Sequence, residues 1–141
     1  MKGIFLSYAI MAAAAVFALS SCTKEVIPLH LTVSTYEVDF GAEGGNEQIN
    51  FCFVGSWAEA NEECDWIETK IFISPDDASM KILSIDVKEN TTGADREGEI
   101  IVSVFREGKK TGSIAERLDR AVKVRQSAEP SQPEGTSQSA E

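Results

Sequence analysis

An all-β fold, specifically an antiparallel β-sandwich of immunoglobulin-like type, is what this sequence predicts. Two observations carry the prediction. Apolar residues recur with period two over several short runs, and glycine-, proline- and asparagine-bearing turn signals separate those runs. Alternation of this kind gives each strand one face on a core and one toward water. Several short strands at such spacing are the pattern of a two-layer sandwich.

Taken in order, Leu29, Leu31 and Val33 alternate with His30, Thr32 and Ser34, and Val38 with Phe40 continues the pattern after a break at Thr35-Tyr36. Ile49, Phe51 and Phe53 alternate with Gln48, Asn50 and Cys52. Leu83, Ile85 and Val87 follow, then Ile100, Val102 and Val104, then Val122 and Val124. Gly41 with Gly44-Gly45, Ser74-Pro75-Asp76-Asp77 and Asn90-Thr91-Thr92-Gly93 supply turns between these runs. One segment breaks the pattern. Gly112 to Arg120 holds a capping-box signature, Ser113 with Glu116, and places Ile114 and Leu118 four apart. It predicts one short helix before the last strand, with a continued hairpin as the competing reading. After Gln126 the composition turns to Ser, Glu, Pro, Gln and Gly, which cannot bury enough surface to offset ordering entropy. Residues 127–141 are therefore expected to form a disordered tail.

The start of the chain reads differently. Lys2 precedes an apolar stretch from Ile4 to Leu19, which Ser20-Ser21-Cys22 closes. A cationic n-region, an apolar h-region and small residues before a cut are the layout of a secretory signal peptide. The cysteine directly after the small residues resembles the lipobox of bacterial lipoproteins, which implies cleavage before Cys22 and lipidation of its thiol. A plain signal peptide or a transmembrane helix is the competing reading, but the stretch is short for a span of ~20 residues and lacks cationic stop-transfer flanks. Residues 1–21 are thus expected to be removed, 22–28 to form a tether and 29–126 to form one domain. Thr23-Lys24-Glu25 carries an acid soon after the cysteine, which loosely resembles surface-export signals. The expected location is the outer membrane, on the cell surface or the periplasmic leaflet.

The chain has 141 residues and a formal net charge of −10, and losing residues 1–21 removes one lysine and no acid, giving −11. That charge argues against nucleic acid as a partner, because phosphate repulsion would have to be overcome. It also predicts a domain tethered by lipid yet held off an anionic bilayer. Of the three cysteines, Cys22 is assigned to lipid, which leaves Cys52 and Cys64. In an exported protein these either form a disulfide, worth roughly 3 kcal/mol for so short a loop, or stand as two unrelated thiols. His30 is the single histidine, too little for a zinc site. No metal or cofactor is expected.

A family resemblance rests on an ordered series: Leu31-Thr32-Val33-Ser34, Val38-Asp39-Phe40, Glu43-Gly44-Gly45, Asp65-Trp66-Ile67, Asn90 with Thr92-Gly93, Arg96 with Gly98, Ile100 with Val102, and Val124-Arg125-Gln126. This series resembles the BACON domain (Bacteroidetes-associated, carbohydrate-binding, often N-terminal) over residues 29–126. The resemblance implies an immunoglobulin-like sandwich without a catalytic centre, in an exported lipoprotein. It identifies no sugar-binding residue. The chain departs from the family's pattern in the long stretch Gly108 to Arg120 and in a second strand-like run, Ile71-Phe72-Ile73.

Sugar recognition calls for aromatic faces with convergent polar groups, and the candidates are Trp57, in a Gly- and Glu-rich stretch read as a loop, and Tyr36, in a turn. Trp66 is expected to be a core anchor between the sheets. Glu59, Glu62, Glu63 and Asp65 crowd one connection but lack calcium-loop spacing. No two acids are tied to a hydrolytic cleft, and Ser56 has only His30 as a conceivable base. Asn90-Thr91-Thr92 matches a glycosylation pattern and is read as a turn. The expected function is therefore non-enzymatic: a lipid-anchored envelope accessory protein with membrane and glycan or envelope-protein partners. A spacer or protein-interaction module without sugar affinity is the alternative.

Overall fold

Period-two alternation becomes eight strands in the computed structural model, which describes residues 24–130. The expected leader, Cys22 and residues 131–141 lie outside the described residues. The strands are β1 (His30–Val33), β2 (Glu37–Phe40), β3 (Gly45–Val54), β4 (Trp57–Glu62), β5 (Ile67–Ile73), β6 (Lys81–Val87), β7 (Arg96–Glu107) and β8 (Ile114–Gln126). They form two four-stranded sheets, ordered β1-β3-β6-β5 and β2-β8-β7-β4. All neighbours are antiparallel except β2 and β8, which run parallel. This is the immunoglobulin-like order, with the first strand split between the sheets. The break at Thr35-Tyr36 is where the chain leaves one sheet for the other: Ser34 N–H still donates to Asn50 O at 2.8 Å, and by Glu37 the backbone pairs with Lys123.

The inward faces meet in one core. Leu31, Val33, Ile49, Phe51, Leu83, Ile85 and Val87 pack against Val38, Phe40, Ile100, Val102, Val104, Val122 and Val124. Most of these are β-branched, which suits a pleated surface. Fully burying each one contributes about 1.5–3 kcal/mol.

Three local expectations are corrected. No helix precedes the last strand; the hairpin reading holds, and β8 is 13 residues long. Ser113 Oγ donates to Lys110 O at 2.6 Å instead of accepting from a helical amide, and Glu116 pairs with Arg106 at 2.6 Å. A strand also puts residues i and i+4 on one face, so the Ile114–Leu118 spacing never distinguished the two structures. Second, the stretch containing Trp57 is not a loop but edge strand β4, whereas Ile71-Phe72-Ile73, read as strand-like, does end an edge strand, β5. Third, the folded body does not stop at Gln126. Ser127 N–H donates to Phe40 O at 2.9 Å, Ala128 N–H to Asp95 Oδ1 at 2.7 Å, and Ala42 N–H to Glu129 O at 3.0 Å. Backbone pairing holds these polar residues where composition alone predicts disorder.

Of the two readings of Cys52 and Cys64, the structure has the unrelated pair: both are free thiols. Cys52 shares the outward face of β3 with Asn50, opposite Thr32, whereas Cys64 follows β4 and packs on the core beside Gly98. The two belong to different layers. A reducing agent is accordingly expected to leave the melting temperature unchanged in a thermal denaturation followed by circular dichroism. A fall of the size a short-loop disulfide provides, about 3 kcal/mol, would contradict this arrangement.

Candidate ligand-binding face

The outward face of the β2-β8-β7-β4 sheet gathers the chemistry. Register puts Trp57 opposite Phe105, and Phe105 opposite Arg117; in the next outward row Glu59 faces Ser103, and Ser103 faces Asp119. Each row crosses β4, β7 and β8. The rings of Trp57 and Phe105 stack at 5.1 Å with an interplanar angle of 17°. Such a pair contributes about 0.5–1.5 kcal/mol beyond its buried area. The Arg117 guanidinium lies 5.5 Å from the Phe105 ring centroid. Flanked in this way, Phe105 is only 5% exposed although it points away from the core.

Polar groups border the stack. Trp57 Nε1–H donates to Glu59 Oε1 at 3.1 Å. Arg117 Nε–H donates to Asp119 Oδ1 at 2.7 Å, and its terminal nitrogen donates to Ser103 Oγ at 3.2 Å. The hydrogen bond from Arg117, with a smaller contribution from Ser103, holds the Asp119 carboxyl below the usual carboxylate range. Asp119 is therefore an acceptor at neutral pH and loses that role only as pH falls through its lowered range. About 13 Å along β7, at ~3.3 Å per residue, the same face opens into a cleft of about 380 Å³ whose lining includes Glu97, Glu99, Ile101 and Lys123. That volume lies within the range of small-molecule sites.

The candidates read from sequence do not all meet here. Trp57 does. Tyr36, 51% exposed, sits at the opposite corner beside β2, where its carbonyl accepts from Lys123 N–H at 2.8 Å. Three strand spacings and several residues of rise separate the two, roughly 14 Å across by 17 Å along, so they do not share one compact site. Trp66 is half-buried at the core's edge rather than sealed between the sheets; its neighbour Ile67, 3% exposed, is the buried residue. The acidic connection disperses: Glu59 faces Trp57, Glu62 caps the β5 edge by accepting from Thr69 Oγ1 at 2.7 Å, Glu63 borders the cleft, and the Asp65 carbonyl takes Lys88 Nζ at 2.6 Å. Among the described residues no group of three or more His, Cys, Asp or Glu could hold a metal ion. Ser56 Oγ accepts from Glu107 N–H at 2.9 Å and His30 Nε2 lies 2.7 Å from Thr32 Oγ1, so the two are engaged separately.

Residues that carry the family resemblance turn out to be architectural. At the end of the sandwich where β2 ends, Gln126 Nε2 donates to the carbonyls of Gly41, Ala42 and Lys88 at 3.0, 3.3 and 2.9 Å, while its Oε1 accepts from Arg96 Nε–H at 2.8 Å. Arg96 also donates to the carbonyls of Lys88 and Glu89 and lies 4.3 Å over the Trp66 ring. Asn90 Oδ1 accepts from Thr92 N–H and Oγ1–H at 3.1 and 2.7 Å, and Asn90 Nδ2 donates to Ala94 O at 2.8 Å. These side chains bond backbone at one end of the fold; the candidate face is built from other residues. Phe105, Arg117 and Asp119 were not singled out by sequence. Phe105 breaks the parity of Val102 and Val104, which marks it as an outward aromatic. Arg117 and Asp119 fell in the segment expected to be helical.

No protein-family model matches the chain, and no curated protein matches it. Among solved structures the chain is similar to a Bacteroides ovatus GH5 xyloglucanase in complex with a XXXG heptasaccharide, at 17% identity and a TM-score of 0.47. The match covers 71% of this chain and 19% of that one, a likeness too distant to carry any argument about activity or substrate.

Proposed function

We propose that this protein is a non-enzymatic, lipid-anchored cell-envelope module of BACON-like type that binds carbohydrate on the outward face of the β2-β8-β7-β4 sheet. The observation that supports this most is the Trp57–Phe105 stack bordered by Glu59, Arg117 and Asp119. An indole body with fixed donors and acceptors beside it suits a ligand that is apolar on its ring faces and hydroxylated at its rim. Asp119, whose carboxyl Arg117 holds below the usual carboxylate range, stands beside the stack as an ionised acceptor suited to a ligand hydroxyl.

Affinity electrophoresis of the intact mature chain through gels containing plant polysaccharides or mucin glycans tests the proposal. Retardation by at least one polysaccharide is expected, and Trp57→Ala is expected to weaken it about tenfold or more, which is about 1.4 kcal/mol of binding free energy, with the β-rich circular dichroism spectrum retained. Unchanged affinity in Trp57→Ala would remove this face as the binding site. No retardation by any glycan, with envelope proteins recovered on pull-down, would replace the reading with a protein-interaction module.

A further inference from the structure

Exposed apolar side chains are not scattered over this molecule. Val26, Ile27, Val54, Phe72, Ile73 and Ile114 are each between 40% and 67% exposed, and all fall toward one end of the sandwich. Val54 closes β3, opposite the first residue of β1; Phe72 and Ile73 close β5; Ile114 opens β8, opposite the last residue of β7. Val26 and Ile27 lie along the same end, where Ile27 O accepts from Arg106 and both residues line, with Val54, an open cleft of about 430 Å³. Tyr36, the remaining large exposed apolar residue among the described ones, sits between β1 and β2, away from this end. The tip of the β7–β8 hairpin beside Ile114 carries Lys109-Lys110 and the β5–β6 loop at the same end carries Asp76 and Asp77, while the loops of the opposite end carry Glu63, Asp65, Glu89 and Asp95.

We infer that this end is a membrane-seating surface, with its apolar residues resting in the boundary between headgroups and acyl chains of the bilayer that anchors the protein. The inference rests on the lipid-anchor reading above and adds the orientation of the domain to it. Lys24 is already laid against the apolar end, and two residues from there back to Cys22 span at most about 7 Å. An acylated Cys22 thus brings the end within contact distance of the interface. Half-exposed aliphatic and aromatic residues with flanking lysines suit that environment.

The test uses the full chain, exported and purified, on zwitterionic phosphatidylcholine vesicles at low protein density. Mass spectrometry of the N-terminal peptide reports acylation, and a water-soluble amine-acylating reagent reports the exposure of each lysine. Acylated protein is expected to show several-fold slower labelling of Lys109 and Lys110 relative to Lys88 and Lys123. The variant Phe72→Asp/Ile73→Asp/Ile114→Asp, altered only at exposed positions, is expected to lose that protection while keeping its acyl chains and its melting temperature. Acylated protein with Lys109 and Lys110 labelled as fast as the reference lysines would overturn the seating and leave the anchor standing. An unacylated N-terminal peptide would overturn the anchor reading and this one with it. Protection that grows with protein density would mean that a second copy covers the surface, and would also overturn the bilayer as its occupant.

Discussion

Gln126→Leu is expected to cost about 3 kcal/mol, because burial at this site is tolerated only through the bonds it makes. Gln126 is 1% exposed and its amide joins three backbone carbonyls to Arg96 Nε–H. Leucine fills a similar volume but leaves the Gly41 carbonyl and the Arg96 Nε–H without this partner, and each buried group so orphaned costs about 1–3 kcal/mol. For a domain of roughly 100 residues, about 3 kcal/mol lowers the melting temperature by about 12–20 °C, readable by circular dichroism. Gln126→Glu separates the two halves of the network. It keeps an acceptor for Arg96 but turns a carboxylate oxygen toward three carbonyls, so it is expected to be no more stable than the leucine variant. A melting temperature within a few degrees of wild type in both would mean that Gln126 is packing, not bonding.

The same residue shows what could be read in the sequence and what could not. Strands that alternate cleanly, such as Leu83 to Val87 and Ile100 to Val104, are legible because each has one wet face and one dry face. The edge strands are not. β4 contributes Ala58 and Ala60 to the core, and small inward residues give almost no alternation against Trp57 and Glu59. At the N-terminal half of β8 the inward positions include Arg120, which register places opposite Val102 near the open edge of the sheet. Apolar periodicity is weak there because the core is thin, and the Ser113–Glu116 spacing filled the gap with a false helical signal.

Functional legibility divides along a different line. Trp57 was readable as a candidate because a tryptophan near glycine and glutamate stands out in any sequence. Its partners were not, because they come from strands separated by some fifty and sixty residues along the chain and meet only through register. Tyr36 had equal standing by composition and is removed from the site by topology alone. Gln126 and Arg96 were readable as a motif, yet no sequence feature distinguished a motif that bonds backbone from one that bonds ligand. The distances settle that question: every partner of the Gln126 side chain is a backbone carbonyl or Arg96.

Gly44→Ala is expected to be as damaging as the loss of Gln126, by a route that converges on the same carbonyl. Gly44 has φ of 70°, and a Cβ there would lie 2.1 Å from Val87 O and 2.9 Å from Lys88 C. The left-handed conformation alone costs a non-glycine residue roughly 1–2 kcal/mol, and the clash is with backbone of β6 and its exit, which cannot rotate aside as a side chain can. Overpacking of that kind adds about 1–3 kcal/mol. Gly93→Ala is the control: φ is 77° with nothing within 4 Å of the added Cβ, so only the conformational cost of roughly 1–2 kcal/mol is expected. Chemical denaturation should therefore rank Gly44→Ala well below Gly93→Ala in stability; equal losses would mean that the clash relaxes at no cost. Moving Lys88 to make room for the methyl group added at Gly44 also moves the carbonyl that accepts from both Gln126 and Arg96. The Gly44→Ala/Gln126→Leu double variant is then expected to lose less than the two single variants together, since sites that share a partner do not add. Full additivity would separate the glycine turn from the glutamine network and leave the end of the sandwich as two independent devices.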